Sequence, residues 1–384
     1  MQGLGVYIHI PYCLQRCTYC DFATYVQSEI LPANEYVDLV KKEIFLKKHF
    51  FEKAFSGKNL STIYFGGGTP SLIPAELIIS LIKELAKHGF TTGPETEITI
   101  EINPATIDEK KLNLYLESGV NRFSVGAQTF HDRLLKAVHR EHNAQQTFET
   151  LALLKKYNLN FSFDLLFALP TQTVDELKSD VAQAVELGSS HISPYCLTVP
   201  EGHPLSKNRP LEDEQLEMFE IIDKSLLKNN FTQYEISNYA KPSRESQHNL
   251  LYWTDRPYWG LGLSAHSYSK NSTWGERFWN ASNIKVYEAD IQSSLSSHKK
   301  DHFEILNRAQ SLTDFCHTSL RLNTGLQWQD VERKFDSNTL HEIKQLAKPL
   351  LDRNILIESG HSFILSPEGR MISNQVFEKF LFTE

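Results

Sequence analysis

The chain is 384 residues long, 41% hydrophobic and 22% charged, ordinary globular usage that excludes a disordered or collagen-like protein. Its length suggests two domains, or three. The net charge of −8 gives no overall attraction to nucleic acid or anionic lipid, so binding to either needs a local patch.

From residue 5 to about 230, short β-rich runs alternate with helical ones. Strands are read at 5–10 (GVYIHI), 61–65 (STIYF), 96–102 (TEITIEI), 122–127 (RFSVGA), 161–167 (FSFDLLF) and 191–197 (HISPYCL). Helices are read between and after them, at about 33–50, 74–88, 108–118, 143–157, 173–187 and 212–229. The last carries Leu216, Phe219, Ile222 and Leu226 on one stripe, the 3.6-residue period of an amphipathic helix. Such alternation implies parallel βαβ units with right-handed crossovers, an α/β fold. Most of the strands read as apolar on both faces, or nearly so, as expected where helices cover them. The units fit a doubly wound sheet or an open (β/α) barrel, and periodicity alone does not choose.

Beyond 230 the rhythm breaks. Residues 231–282 are rich in aromatics and turns, and all five Trp lie after residue 250. Residues 283–320 read as helical. The end of the chain reads helix, helix, strand, turn, strand, helix, the order of a small winged-helix-like α+β module. Its charges are mixed, and fold analogy alone is no ground for nucleic-acid binding. The expected domains are therefore 1–230, 231–282 and 283–384.

No stretch approaches the roughly 18 apolar residues of a membrane span. The start, MQGLGVYIHIPYC, lacks the basic region of a signal peptide. The cytoplasm is the expected compartment. There, a cluster of cysteines points to metal or catalysis, not to disulfides.

Three of the five cysteines form such a cluster: Cys13, Cys17 and Cys20, a C-x3-C-x2-C just after the first strand. That is the loop where βα folds place their sites. Three thiolates can hold three irons of a [4Fe–4S] cluster and leave the fourth open. A structural zinc is the rival, and would need a fourth ligand such as His9. Cys196 and Cys316 lack near partners and read as buried structural residues. Gly66, Gly67 and Gly68, followed by Thr69, end the second strand, where missing Cβ atoms let backbone polar groups approach a ligand. The spacing is neither a dinucleotide fingerprint nor a P-loop. Glu101, Gln128, Arg140 and Asp164 then stand at or near successive strand ends. A carboxylate within an apolar strand, as Asp164 is read, costs several kcal/mol unless paired or ligand-bound. Singly each could be a salt bridge or a cap; together they could bind hydroxyls and a carboxylate, the latter best by Arg.

YIHIPYCLQRCTYCDF resembles the cluster loop of radical S-adenosylmethionine (SAM) proteins, in the branch that holds oxygen-independent coproporphyrinogen III oxidase and a bacterial haem chaperone. The resemblance runs through most of residues 5–270 and implies a partial (β/α)6 barrel. It also implies that Cys13, Cys17 and Cys20 hold a [4Fe–4S] cluster whose open iron is chelated by SAM. Gly67, Gly68 and Thr69 match the family's GGGTP segment at the methionine part of SAM. Glu101, Gln128, Arg140 and Asp164 match its other SAM positions, and Tyr7 matches a SAM-contacting tyrosine.

Two departures set this chain apart from the oxidase. The oxidase has a further cysteine two residues after the third cluster cysteine, and here that residue is Phe22. It also has a long N-terminal extension, whereas twelve residues precede Cys13 here. His248-Asn249-Leu250-Leu251-Tyr252-Trp253 matches the chaperone branch's HNxxYW motif, linked to haem. On the residues alone His248 reads as a structural histidine. With the resemblance it becomes the first haem candidate, with His139, His142 and His266 next. The implied function is a chaperone that binds haem and passes it to an acceptor protein, with a homodimer possible. The alternative is the oxidase, in which SAM cleavage starts an oxidative decarboxylation.

Overall fold

The computed structural model describes residues 3–55, 59–293 and 302–383. Six strands pair in chain order, all parallel: β1 (Gly5–Ile10), β2 (Thr62–Gly67), β3 (Glu97–Ile102), β4 (Arg122–Gln128), β5 (Asn160–Phe167) and β6 (His191–Cys196). A doubly wound sheet reverses its strand order at a switch point. No reversal occurs across these six strands, so they wind as a barrel. The crossover helices are α1 (Ala33–Lys47), α2 (Ala75–Lys87), α3 (Glu109–Glu117), α4 (Ala144–Lys156) and α5 (Val174–Glu186), and α6 (Glu212–Lys228) follows β6. Their starts are chemically marked. Asn143 with Gln146, and Thr173 with Glu176, form reciprocal capping boxes at α4 and α5, each satisfying two otherwise orphaned N–H groups.

The strands are not apolar on both faces. Their outward residues, such as Ile98 and Ile100 of β3, Phe123 and Val125 of β4, and Phe161 and Phe163 of β5, are buried in the main core. Their inward residues are polar: Glu101 on β3, Arg122 and Ser124 on β4, Ser162 and Asp164 on β5, His191 and Ser193 on β6. The period of two sends one set under the helices and the other into the lumen. The barrel is thus a lined cavity, not a packed plug.

Residues 231–282, expected as a separate segment, are built into this sheet. Next to β6 lies β8 (Asn238–Ala240), antiparallel, and then β7 (Thr232–Glu235). On the free edge of β1 lies β9 (Tyr258–Leu261), parallel, followed by antiparallel β10 (His266–Ser269), β11 (Glu276–Trp279) and β12 (Phe303–Ile305). Among the described residues the two ends of this twelve-stranded sheet do not pair with each other, so the barrel stays open. Residues 283–320 are also not uniformly helical. Helix Ile284–Gln292 packs into the barrel's core through Tyr287 and Ile291, β12 follows, and residues 294–301 lie outside the described residues.

A buried polar knot holds the added strands to the barrel. Glu43 of α1, fully buried, pairs with Lys47 at 3.1 Å. It accepts from Gly262 N at 2.8 Å, Tyr287 Oη at 2.8 Å and Asn280 Nδ2 at 2.7 Å. Tyr36, two turns earlier on the same face of α1, donates to the His9 carbonyl at 2.8 Å and accepts from Leu263 N at 2.9 Å. A buried carboxylate persists when its lone pairs are this well satisfied. A second core, from Leu312 to Phe380, belongs to the C-terminal module. That module is a set of helices with a three-stranded antiparallel sheet of Leu326–Gln327, Ser362–Leu365 and Leu356–Ser359.

Candidate functional site

A cavity of about 490 Å³ opens at the C-terminal ends of the strands, within the usual range for ligand sites. Cys13, Cys17 and Cys20 all line it. Their loop is fixed at both ends: His9 Nε2 meets the Ala23 carbonyl at 2.9 Å, and Tyr25 N donates to the Pro11 carbonyl at 2.8 Å. Burial raises the Cys13 and Cys20 thiols, and the neighbouring thiols add to that. A bound cation reverses this, because a coordinating thiol is deprotonated. His9 is not free to be a fourth zinc ligand. Its second nitrogen, Nδ1, meets Tyr7 Oη at 3.1 Å, and burial lowers its pKa to about 4. Among the described residues no three His, Cys, Asp or Glu side chains converge on one ion. Three thiols ringing a cavity fit a cluster of several irons better than a single zinc.

The glycine segment has a packing reason as well as a ligand one. Gly67 has φ +110°, and a Cβ there would lie 2.4 Å from the His9 ring. A Cβ on Gly66 would lie 2.8 Å from Glu101 Oε1. The bare backbone lets Gly67 N donate to Glu101 Oε2 at 3.2 Å, while Tyr64 Oη donates to Oε1 at 2.9 Å. Burial lifts the Glu101 pKa to about 7; Tyr64 and Gly67 oppose the rise and Asp164 adds to it. Gly68 N and Thr69 N donate to the carbonyls of Ile10 and Tyr12, tying this segment to the cysteine loop. The Thr69 hydroxyl stands 3.9 Å from Cys13 Sγ.

Arg140 reaches the same loop. Its Nη1 donates to Cys17 Sγ at 3.5 Å, its Nη2 donates to the Gly126 carbonyl, and its buried Nε has no partner. Burial disfavours its charge, but Tyr19 and Cys17 outweigh that and hold it above the usual range. Gln128 sits at a register slip in β4 with φ +66°, a left-handed backbone that few non-glycine residues adopt. Asp164 accepts from Ser124 Oγ at 3.0 Å, and burial raises its pKa.

One cavity therefore gathers Cys13, Cys17, Cys20, Gly67, Gly68, Thr69, Glu101, Gln128, Arg140 and Asp164. Tyr7 is not on its wall; it lies behind, against Tyr64 and His9. His248 is not at the mouth. It lies on helix α7 (Gln247–Trp253), 1% exposed. Its Nδ1 meets Thr62 Oγ1 at 2.6 Å and its Nε2 meets Tyr252 Oη at 2.8 Å. Thr62 begins β2, so His248 closes the opposite end of the barrel. Burial, with Arg122 adding, holds its pKa at about 3. As folded here, neither ring nitrogen is free for iron. His142, one of the later haem candidates, is buried and bonds the Ala127 carbonyl at 3.1 Å. Cys196, read as buried, is exposed on the cavity rim, whereas Cys316 is buried. Tyr64, Arg122, His191, Ser193 and Asn249 also line the cavity. Tyr64 and Ser193 alternate with apolar neighbours along their strands, whereas Arg122 and His191 open theirs and Asn249 lies on α7.

The sequence profile of the radical SAM superfamily matches residues 7–184. The chain is 37% identical to heme chaperone HemW of Buchnera aphidicola subsp. Schizaphis graminum over 388 residues, covering 99% of each chain. It is 31% identical to heme chaperone HemW of Lactococcus lactis subsp. lactis over 386 residues, covering 98% of this chain and 97% of that one. Among solved structures it resembles coproporphyrinogen III oxidase (HemN) from Escherichia coli, a radical SAM enzyme, with a TM-score of 0.83 and 21% identity, over 99% of this chain and 90% of that one; that likeness is one of fold. The open barrel, the cysteine loop at its mouth and the near full-length match place this chain in the radical SAM superfamily and, within it, in the family of the heme chaperone HemW.

Proposed function

We propose that this chain binds haem and passes it to an acceptor protein, with a [4Fe–4S] cluster and SAM seated at the barrel mouth. The observation that carries the reading is the end-to-end similarity to heme chaperones at 31% and 37% identity. The lip of the cavity supports it. Phe22, at the position where the oxidase is expected to carry an extra cysteine, is 65% exposed beside the loop.

When bound, the cluster supplies an open iron site and an electron. The residues here supply the rest. Cys13, Cys17 and Cys20 hold the cluster. Arg140 offers a cationic fork to a carboxylate, and Glu101 and Asp164 offer acceptors to hydroxyls. Gln128, Gly67, Gly68 and Thr69 complete the wall, with Tyr7 bracing it from behind. Among the described residues no helix is long and apolar enough to cross a membrane.

The cluster is tested by Cys17→Ala. After anaerobic reconstitution this variant should lose nearly all iron and sulfide. A full cluster in it, or stoichiometric zinc without sulfide in the unmodified chain, would refute the assignment. Haem carriage is tested by titrating the reconstituted chain with haem and offering the complex to a haem-free acceptor. A Soret band that moves to the acceptor supports the reading; absence of uptake ends it.

A further inference from the structure

Of the fifteen histidines, the buried His142 and His191 each bond through Nε2 and keep an unpartnered Nδ1 that is sealed from solvent. His9 and His248 have both ring nitrogens engaged. Haem iron needs an imidazole with a free nitrogen. On the open side of the barrel, β10 and β11 set His266 directly opposite Trp279. Continuing the Phe278–Phe303 pairing by one residue sets Trp279 opposite His302. The three rings form a row across adjacent strands. His266 and Trp279 stack at 5.7 Å and 19°, and Trp279 and His302 follow at 6.0 Å and 38°. His266 is exposed and the other two are half-buried. Neither His266 nor His302 has a ring hydrogen bond among the described residues. Burial and then Arg277 lower the pKa of His266, which favours the neutral ring.

The row continues the HNLLYW helix. Tyr252 of α7 meets Tyr258 edge-on at 4.6 Å, and Tyr258 meets Tyr268 at 6.3 Å. Tyr268 is two residues from His266 on the same strand, hence on the same face. Gly260 lets β10 come in closely, since a Cβ there would lie 2.1 Å from the His266 carbonyl oxygen. The opposite face, carrying Phe278, turns onto Phe50 and Phe51 in the core. Another surface pair, His361 with Trp328, is edge-to-face, and Lys344 covers the indole at 3.4 Å. His139 stands on the wall of the SAM cavity beside Arg140. Among the described residues, the His266 row combines an exposed free imidazole, an open indole and continuity with the motif helix.

Resting on the proposed function, we infer that His266 is the axial ligand through which this chain holds haem iron, with Trp279 beside it under the edge of the macrocycle. An open sheet face with one protein ligand suits a carrier. It leaves the second axial position and most of the porphyrin edge available to an acceptor.

The test uses the full chain, reconstituted with cluster and SAM, titrated with ferric and ferrous haem and followed by absorption and electron paramagnetic resonance. His266→Ala and the more conservative His266→Gln should each weaken haem uptake at least about tenfold, as expected on losing the single axial bond. Iron–sulfur content and thermal midpoint should stay unchanged. Free imidazole should restore the wild-type spectrum of His266→Ala, which a merely structural role would not allow. His302→Ala should keep the axial signature. Wild-type uptake by both His266 variants, or transfer of the loss to His302→Ala, would overturn the assignment. Failure of the unmodified chain to take up haem would instead overturn the proposed function on which it rests.

Discussion

Arg140 and Glu101 come from different βα units yet face one cavity. Arg140 has a buried Nε without a partner, and its fork is tied to the cysteine loop through Cys17. Loss of a buried charge-assisted contact costs about 2–4 kcal/mol. Arg140→Ala should therefore weaken SAM binding by roughly one and a half to three powers of ten, read by calorimetry. Arg140→Lys should recover only part of that, because an ammonium cannot donate as a fork. Unchanged SAM affinity in Arg140→Ala would remove Arg140 from the site. Glu101 adds a pH signature. With its pKa near 7, it is largely protonated at pH 6 and largely ionised at pH 8. The ionised form, with two charged acceptor oxygens, accepts from a pair of hydroxyls more strongly than the acid. SAM affinity should rise with pH across that window, by at most about tenfold per unit, the limit for one proton. A flat profile, or the same profile in Glu101→Gln, would contradict it. Glu101 was legible in the sequence as a charged residue at a strand end, and Arg140, in the loop after a short helix, through its match to the family's SAM-binding positions. Arg122 and His191 were not, because they open their strands and look like flanking residues until the strands are in register.

Among the elements, α7 and the Glu43 knot decide how the open barrel is held. His248 sits at the barrel floor, bonded to Thr62 and Tyr252 and packed near Tyr64. His248→Ala should leave a cavity and an unpaired hydroxyl, costing about 2–4 kcal/mol. The measurement is the thermal midpoint of the cluster-loaded chain; an unchanged midpoint would show that the floor does not depend on it. Glu43→Ala should cost about 3–5 kcal/mol, since it strands Lys47 in the core, read by denaturant unfolding. The six βα units were legible because each strand–helix pair carries its own local period. The joining of β9 to β1 was not. That parallel pairing links residues about 250 positions apart in the chain, and nothing local in either segment announces it.

At the scale of the whole molecule, the fold keeps imidazoles neutral in its interior. His9 and His142 are lowered to about 4 and His248 to about 3, chiefly by burial. In the unfolded chain they titrate near 6.5. Between those values the unfolded chain binds more protons, so stability is fully present above pH 6.5 and is lost as pH falls through 4 and 3. Glu101 and Asp180, raised to about 7 and about 6, act in the opposite sense, but their effect is complete by about pH 4. The thermal midpoint should therefore be lower at pH 5 than at pH 7.5 and fall further toward pH 4. A midpoint that rises on acidification would contradict the buried, neutral state of these rings. The same architecture, open on the β1 side and capped below by α7, serves a family of heme chaperones and, in fold, an oxidase. The most direct measurement separates those two chemistries. The full chain, reconstituted anaerobically and supplied with SAM and reductant, is given haem in one reaction and coproporphyrinogen III in another. Stoichiometric haem uptake, release to a haem-free acceptor and no conversion of coproporphyrinogen III are expected. Multiple-turnover formation of protoporphyrinogen IX would contradict the account.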